Sequence, residues 1–163
     1  MRRTMMLAVA TLVLGMVWPP GVRAQVETSV TAAGEGPFPQ GASYLGVPLS
    51  SLTIGSGLSV GGTWALGQFQ TTLVGGTVAG PREITVEGLA RSSVPSGPNT
   101  AVFSGTCTVD PGDGTPPVSG VPFTAALGAN PDGTGSLALT LGVTSLPAAA
   151  VNEGYVTIRP LEE

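Results

Sequence analysis

The chain reads as an all-β protein, an antiparallel β-sandwich of roughly eight short strands with little or no helix. Three observations predict this class. After Gln25 no window repeats apolar residues at i, i+3, i+4 and i+7, short Thr, Val, Leu and Ile runs alternate in polarity instead, and 23 of the chain's 25 Gly and 13 of its 15 Pro punctuate those runs.

The first element is not a strand. Residues 1–24 read as a signal peptide: Arg2 and Arg3 give a positive start, Thr4 to Trp18 is an uncharged and mostly apolar run, and Pro19-Pro20-Gly21 breaks it. Val22-Arg23-Ala24 has small residues at −3 and −1, so cleavage is expected after Ala24. The apolar run is shorter than the about 20 residues of a membrane span, so no span is expected after cleavage. Arg2-Arg3 loosely resembles a twin-arginine signal without its flanking polar residues, which favours general export over that route. The product is expected in the periplasm or outside the cell.

The next stretch, 25–45, reads as an N-terminal strand from Thr28 to Ala33 followed by a Gly- and Pro-rich loop, and 46–163 as the sandwich domain proper; 25–163 is expected to fold as one unit. Val47 to Ile54 is the second strand. Thr63 to Val74 is the third and has conflicting parity: with Phe69, Thr71 and Leu73 inward, Trp64 and Leu66 point out. A bulge at Gly67 that re-phases the strand is the preferred solution, because it buries both large side chains.

Later strands alternate more cleanly. In Arg82 to Leu89, Ile84 and Val86 oppose Glu83, Thr85 and Glu87. In Thr100 to Val109, the residues Ala101, Phe103, Gly105, Cys107 and Val109 face inward. Val121, Phe123, Ala125 and Leu127 make the next buried stripe, then Leu137, Leu139, Leu141 and Val143, then Val156 and Ile158. Asp110-Pro-Gly-Asp-Gly114, Asn130-Pro-Asp-Gly133 and Asn152-Glu-Gly154 join them as turns.

Composition removes whole classes of chemistry. Without His there is no His base, triad or His metal ligand; without Lys there is no Schiff base or P-loop; with one Cys there is no intrachain disulfide or redox pair. The net charge of −4 falls to −7 once the leader goes, with Arg82, Arg91 and Arg159 standing apart against ten acids. Nucleic-acid and anionic-membrane partners are therefore not expected.

Four candidates for a site remain. Cys107 has core parity and reads as a buried, inert thiol. Asp110 and Asp113 form an acidic turn that is a weak calcium candidate, without EF-hand spacing; Asp132 belongs to a turn at the opposite end of the Val121–Leu127 strand. Glu83 and Glu87 lie roughly 13 Å apart along one strand, too far for paired glycosidase carboxylates, which leaves cross-strand pairs such as Glu87 with Glu153. Trp64 and Tyr155 are weak ligand candidates for stacking on a sugar. An outer-membrane barrel would need two aromatic girdles, which 5% aromatic residues do not furnish.

The runs Ile84-Thr-Val-Glu-Gly88, Asn99-Thr-Ala-Val-Phe-Ser-Gly-Thr106, Phe123-Thr124 and Gly154-Tyr-Val-Thr-Ile158 resemble the small β domains of secreted bacterial proteins called the post-COAP type, over roughly residues 65–159. The resemblance implies an exported β module and no particular activity. The functional expectation is a non-catalytic structural or interaction module of the cell envelope or extracellular space, its partner an envelope or extracellular protein or a glycan. No cofactor is expected. The alternatives are a carbohydrate- or calcium-binding module and a carboxylate-only hydrolase.

Overall fold

A computed structural model describes residues 27–161. The leader and its cleavage point at Ala24 lie outside the described residues. Within them the chain is all strand and turn, with no helix. Eleven strands follow one another: β1 (Thr28–Pro37), β2 (Ser43–Tyr44), β3 (Val47–Val60), β4 (Trp64–Thr77), β5 (Gly80–Val94), β6 (Thr100–Asp110), β7 (Val118–Ala129), β8 (Gly135–Leu141), β9 (Thr144–Ser145), β10 (Ala149–Val151) and β11 (Glu153–Pro160). The eight expected strands are β1, β3 to β8 and β11. The three additional ones are only two or three residues long, below the length at which alternation is legible in sequence.

All neighbours pair antiparallel, in the order β10-β8-β7-β6-β5-β4-β3-β1-β11, with β2 added to β3 and β9 to β8. A sandwich requires two sheets packed face to face; here one continuous sheet curls on itself as a half-barrel. The curl follows from connectivity. β10 and β11 lie at opposite edges of the strand order, yet only Asn152 separates them in the chain. The edges must therefore meet there, and the Asn152 N–H donates to the Glu35 carbonyl at 3.2 Å, tying the crossing to β1.

Small inward residues let the sheet bend this far. A Cβ at Gly36 would overlap the Ala150 carbonyl where β10 approaches β1, and one at Gly88 would come within 2.7 Å of the Phe123 ring. The space so spared is filled by Phe69, Phe103 and Phe123. The first and last stack at 5.3 Å with an interplanar angle of 14°, and Phe103 meets them edge-on at 5.8 and 6.2 Å. In a flat sheet β4 and β7 would stand about 14 Å apart, so this contact belongs to the curl.

Burial follows the expected alternation along β5, β6, β7 and β8, and Val156 is buried on β11. Two expectations fail. Val143 is fully exposed, because β8 stops at Leu141 and Gly142 turns the chain at φ 59°. The β4 bulge exists, as an extra residue between Trp64 and Gly67 opposite β5, but it does not re-phase the strand. On the β3 side pairing runs unbroken from Leu58–Gly67 to Val60–Ala65, so Ala65 keeps the inward parity of Phe69 and Thr71. Trp64 and Leu66 are left outside, 40% and 65% exposed. A bulge that disrupts one ladder while the other stays in register cannot flip the faces.

One end of the half-barrel is plugged. The segment after β1 folds back under it, with the Phe38 N–H donating to the Ser50 carbonyl and the Leu49 N–H to that of Ala42, both at 2.9 Å. It buries Phe38, Ala42 and Tyr44. The opposite end, formed by the β3–β4 turn, the β5–β6 loop and the C-terminal half of β11, has no such plug and holds a cleft.

Candidate functional site

The cleft has a volume of about 630 Å³. Its walls come from three places: Gly61 and Gly62 in the β3–β4 turn, the Val94-Pro-Ser-Gly-Pro-Asn99 loop between β5 and β6, and Ile158 and Pro160 of β11. None of its sixteen lining residues is ionisable. In a chain whose acids outnumber its basic residues, an uncharged hollow of this size is the feature that most resembles a ligand site.

Two hydrogen-bond systems hold the walls. Ser93, buried on β5, places its hydroxyl between the carbonyls of Gly61 at 2.7 Å and Trp64 at 2.8 Å, while the Gly61 N–H closes the turn on the Trp64 carbonyl at 2.8 Å. The β3–β4 turn is thereby fastened to the neighbouring strand. The Ser96 hydroxyl donates to the Thr100 carbonyl at 2.6 Å, the Thr100 N–H to that of Gly97 at 3.1 Å, and the Ala129 N–H to that of Asn99 at 2.8 Å. Pro95, Pro98 and Pro160 fix φ along the rim.

The opening exists because β11 leaves the seam. The Val156 N–H donates to the Gly133 carbonyl at 2.9 Å, which sews β11 to the β7–β8 turn. Alternation then aims the main-chain groups of Ile158 and Pro160 the same way, toward the β5–β6 loop, and no hydrogen bond crosses there among the described residues. A second hollow of about 330 Å³ adjoins the first, and Asn99 and Ile158 line both.

The sequence candidates scatter. Trp64 is not among the residues that line the cleft; its indole covers Gly61, which does line it, and a Cβ there would overlap Nε1. Tyr155 is 49% exposed but pairs through Ala33 and Gly55 to Gln70, six residues from Trp64 along β4. Their backbone positions are thus about 20 Å apart along the strand direction and three strands apart across the sheet, so the two residues form no common platform.

Asp110 and Asp113 sit at the plugged end, in the turn after β6. Asp110 Oδ1 accepts the Gly112 N–H at 2.9 Å; Asp113 Oδ1 accepts the Thr115 N–H at 3.0 Å and its hydroxyl. Asp113 Oδ2 forms an ion pair with Arg82 at 2.7 Å, and Arg82 Nε donates to the Pro111 carbonyl at 2.6 Å. The Thr115 bonds, above all, hold the Asp113 carboxyl below its ordinary range, with Arg82 adding to this. A guanidinium thus stands where calcium would, and a cation would have to displace it. Asp132, at the cleft end, makes the same bonds to Thr134, which lower its pKa likewise. No group of three or more potential metal-ligating side chains occurs among the described residues.

The carboxylate pairs fare no better. Four strand spacings separate Glu87 from the row of Tyr155, roughly 19 Å along the sheet to the neighbourhood of Glu153. Glu87 instead accepts from Gln70 at 3.3 Å. The register does set Glu35 opposite Glu153, a pair sequence reading missed because only the β1–β11 pairing reveals it. Both are exposed, Glu153 on the edge strand β11 and Glu35 on its neighbour β1, and like charges there oppose further strand pairing.

Cys107 is buried on β6, as its parity indicated, and its thiol donates to the Val121 carbonyl at 3.3 Å. Burial pushes the thiol up to about 11. Burial, and secondarily Cys107, also raises the Tyr44 hydroxyl. Neither is a nucleophile near pH 7. Sequence reasoning missed the cleft itself, since its walls are turn residues whose only signal is the Pro, Gly, Ser and Asn content of 95–99.

Among known proteins, no family model matches the chain, and no curated protein or solved structure is significantly similar to it.

Proposed function

We propose that the protein is an exported, non-catalytic β module of the cell envelope or extracellular space, which acts by holding an uncharged group of its partner in the cleft between the β3–β4 turn and the β5–β6 loop. The observation that carries this reading is the cleft's lining: about 630 Å³ with no ionisable side chain, while the acids among the described residues are exposed elsewhere. General acid–base chemistry needs a titratable group within hydrogen-bond reach of the substrate, and this hollow supplies none. The leader-like residues 1–24 and the resemblance of 65–159 to secreted β domains support export.

The test is thermal melting of residues 25–163, which contain every described strand, with calcium, EDTA, and soluble neutral or anionic polysaccharide. A ligand that binds only the folded state raises the midpoint. A neutral polymer is expected to raise it, and Gly97→Phe is expected to abolish the rise, because a side chain at Gly97 enters open space beside the cleft without a clash. A rise that survives Gly97→Phe, a rise that requires calcium, or glycoside turnover lost on Glu87→Gln would contradict the reading.

A further inference from the structure

The cleft's chemistry narrows the ligand class. Three observations bear on it. Trp64 is 40% exposed, and its indole rests on the backbone of the lining residue Gly61, so a flat aromatic surface stands next to the cleft, outside its lining. A ring held this way loses little freedom when a ligand covers it. Thr28, Ser96, Asn99 and Thr100 bring short, neutral hydrogen-bonding side chains to the wall, and Ser96, whose proton goes to the Thr100 carbonyl, keeps its lone pairs for an incoming donor. The prolines at 95, 98 and 160 hold the rim in place.

Two rival ligand classes fit less well. A charged ligand would enter a hollow whose lining has no counter-ion, and its desolvation would go uncompensated. An extended peptide adding a strand to the open edge of β11 would need a run of unpaired main-chain groups. The Val156 N–H is already spent on Gly133 and Pro160 has none to give, so Ile158 alone offers both a donor and an acceptor. What remains is a neutral molecule rich in hydroxyls with one apolar face.

We propose that the cleft binds a neutral oligosaccharide, with a sugar stacked on Trp64 and its hydroxyls met by Ser96, Asn99 and Thr100. This rests on the binding reading above and specifies its ligand. The weakly positive C–H face of a pyranose suits the negative face of the indole, and neutral hydroxyl and amide groups exchange hydrogen bonds with sugar hydroxyls without a charge to desolvate. Tyr155, remote on β11, takes no part.

Residues 25–163 carry Trp64 as their sole tryptophan, which makes its fluorescence a direct reporter. The probes are maltohexaose, cellohexaose, the hexamer of N-acetylglucosamine, anionic hexagalacturonate and an end-capped Thr-Val hexapeptide. At least one neutral hexasaccharide is expected to shift Trp64 emission to the blue. By calorimetry Trp64→Ala should weaken that binding about tenfold, Trp64→Phe should retain most of it, Asn99→Ala should weaken it severalfold, and Tyr155→Ala should leave it unchanged. Melting of each variant separates a lost contact from a lost fold. The proposal is overturned if no neutral hexasaccharide shifts the emission, if Trp64→Ala and Trp64→Phe both bind as the native chain does, or if only hexagalacturonate or the peptide binds. Peptide binding that Gly97→Phe abolishes would reject the sugar while keeping the cleft; silence at the cleft with every probe would reject both.

Discussion

At the scale of single residues, parity decides most fates and hydrogen bonding decides the rest. Cys107 is inert because its strand turns it inward, and the pH dependence of stability follows from that burial. The unfolded thiol ionises near its ordinary value of 9.0, the folded one only at about 11. Between those values the unfolded chain binds fewer protons, so stability falls as pH rises, by about 1.4 kcal/mol per pH unit from this group. Below pH 9 the contribution is fully present. Denaturant unfolding at pH 8 and pH 10.5 should show the loss, and Cys107→Ala should flatten the part owed to the thiol, leaving that from Tyr44, whose hydroxyl burial also raises. An unchanged slope in Cys107→Ala would mean that the thiol is not held neutral by burial. Trp64 illustrates the limit of parity: a large apolar side chain remained outside because the β3 ladder fixed the register, and burial of one ring did not outweigh an unbroken row of main-chain hydrogen bonds.

At the scale of elements, the cleft is a product of how β3, β4 and β5 are fastened together. Ser93 places one hydroxyl between two carbonyls that flank the β3–β4 turn, so Ser93→Ala removes this donor from the Gly61 carbonyl, while that of Trp64 keeps the Gly61 N–H. It should destabilise the fold by about 1–3 kcal/mol in urea titration and loosen the turn that carries Trp64. The loss should appear as faster amide exchange at Gly61, whose N–H bonds the Trp64 carbonyl. Unaltered exchange there would show that the turn stands without Ser93. The strands themselves were legible in sequence because period-2 alternation is imposed by a one-sided core; Phe103, Cys107, Phe123 and Leu139 were all placed correctly on that ground. The bulge at Gly67 was legible as a glycine in a parity conflict, yet its effect was not, because a bulge can act on one ladder alone.

At the scale of the whole molecule, the difference between a sandwich and a half-barrel lay beyond the sequence. Both present the same alternating strands, and what separates them is whether neighbours pair continuously, which here turns on small inward residues such as Gly36 and Gly88 and on a single-residue link at Asn152. The site was legible only in fragments. Trp64 was named, but paired with a Tyr155 that the sheet carries far away, and the walls at 61–62 and 95–99 come together only when the edges of the sheet meet and β11 departs at Val156. The acidic turn at 110–115, more conspicuous in sequence, is closed on Arg82 at the other end of the molecule. These two ends make competing claims on any ligand, so the most direct test is an amide chemical-shift map of residues 25–163 titrated with the neutral hexasaccharide that shifts Trp64 emission. The account predicts perturbations at 61–64, 93–102 and 158–161, with 110–115 silent. Perturbations centred on 110–115 or on the Glu35–Glu153 edge would contradict it.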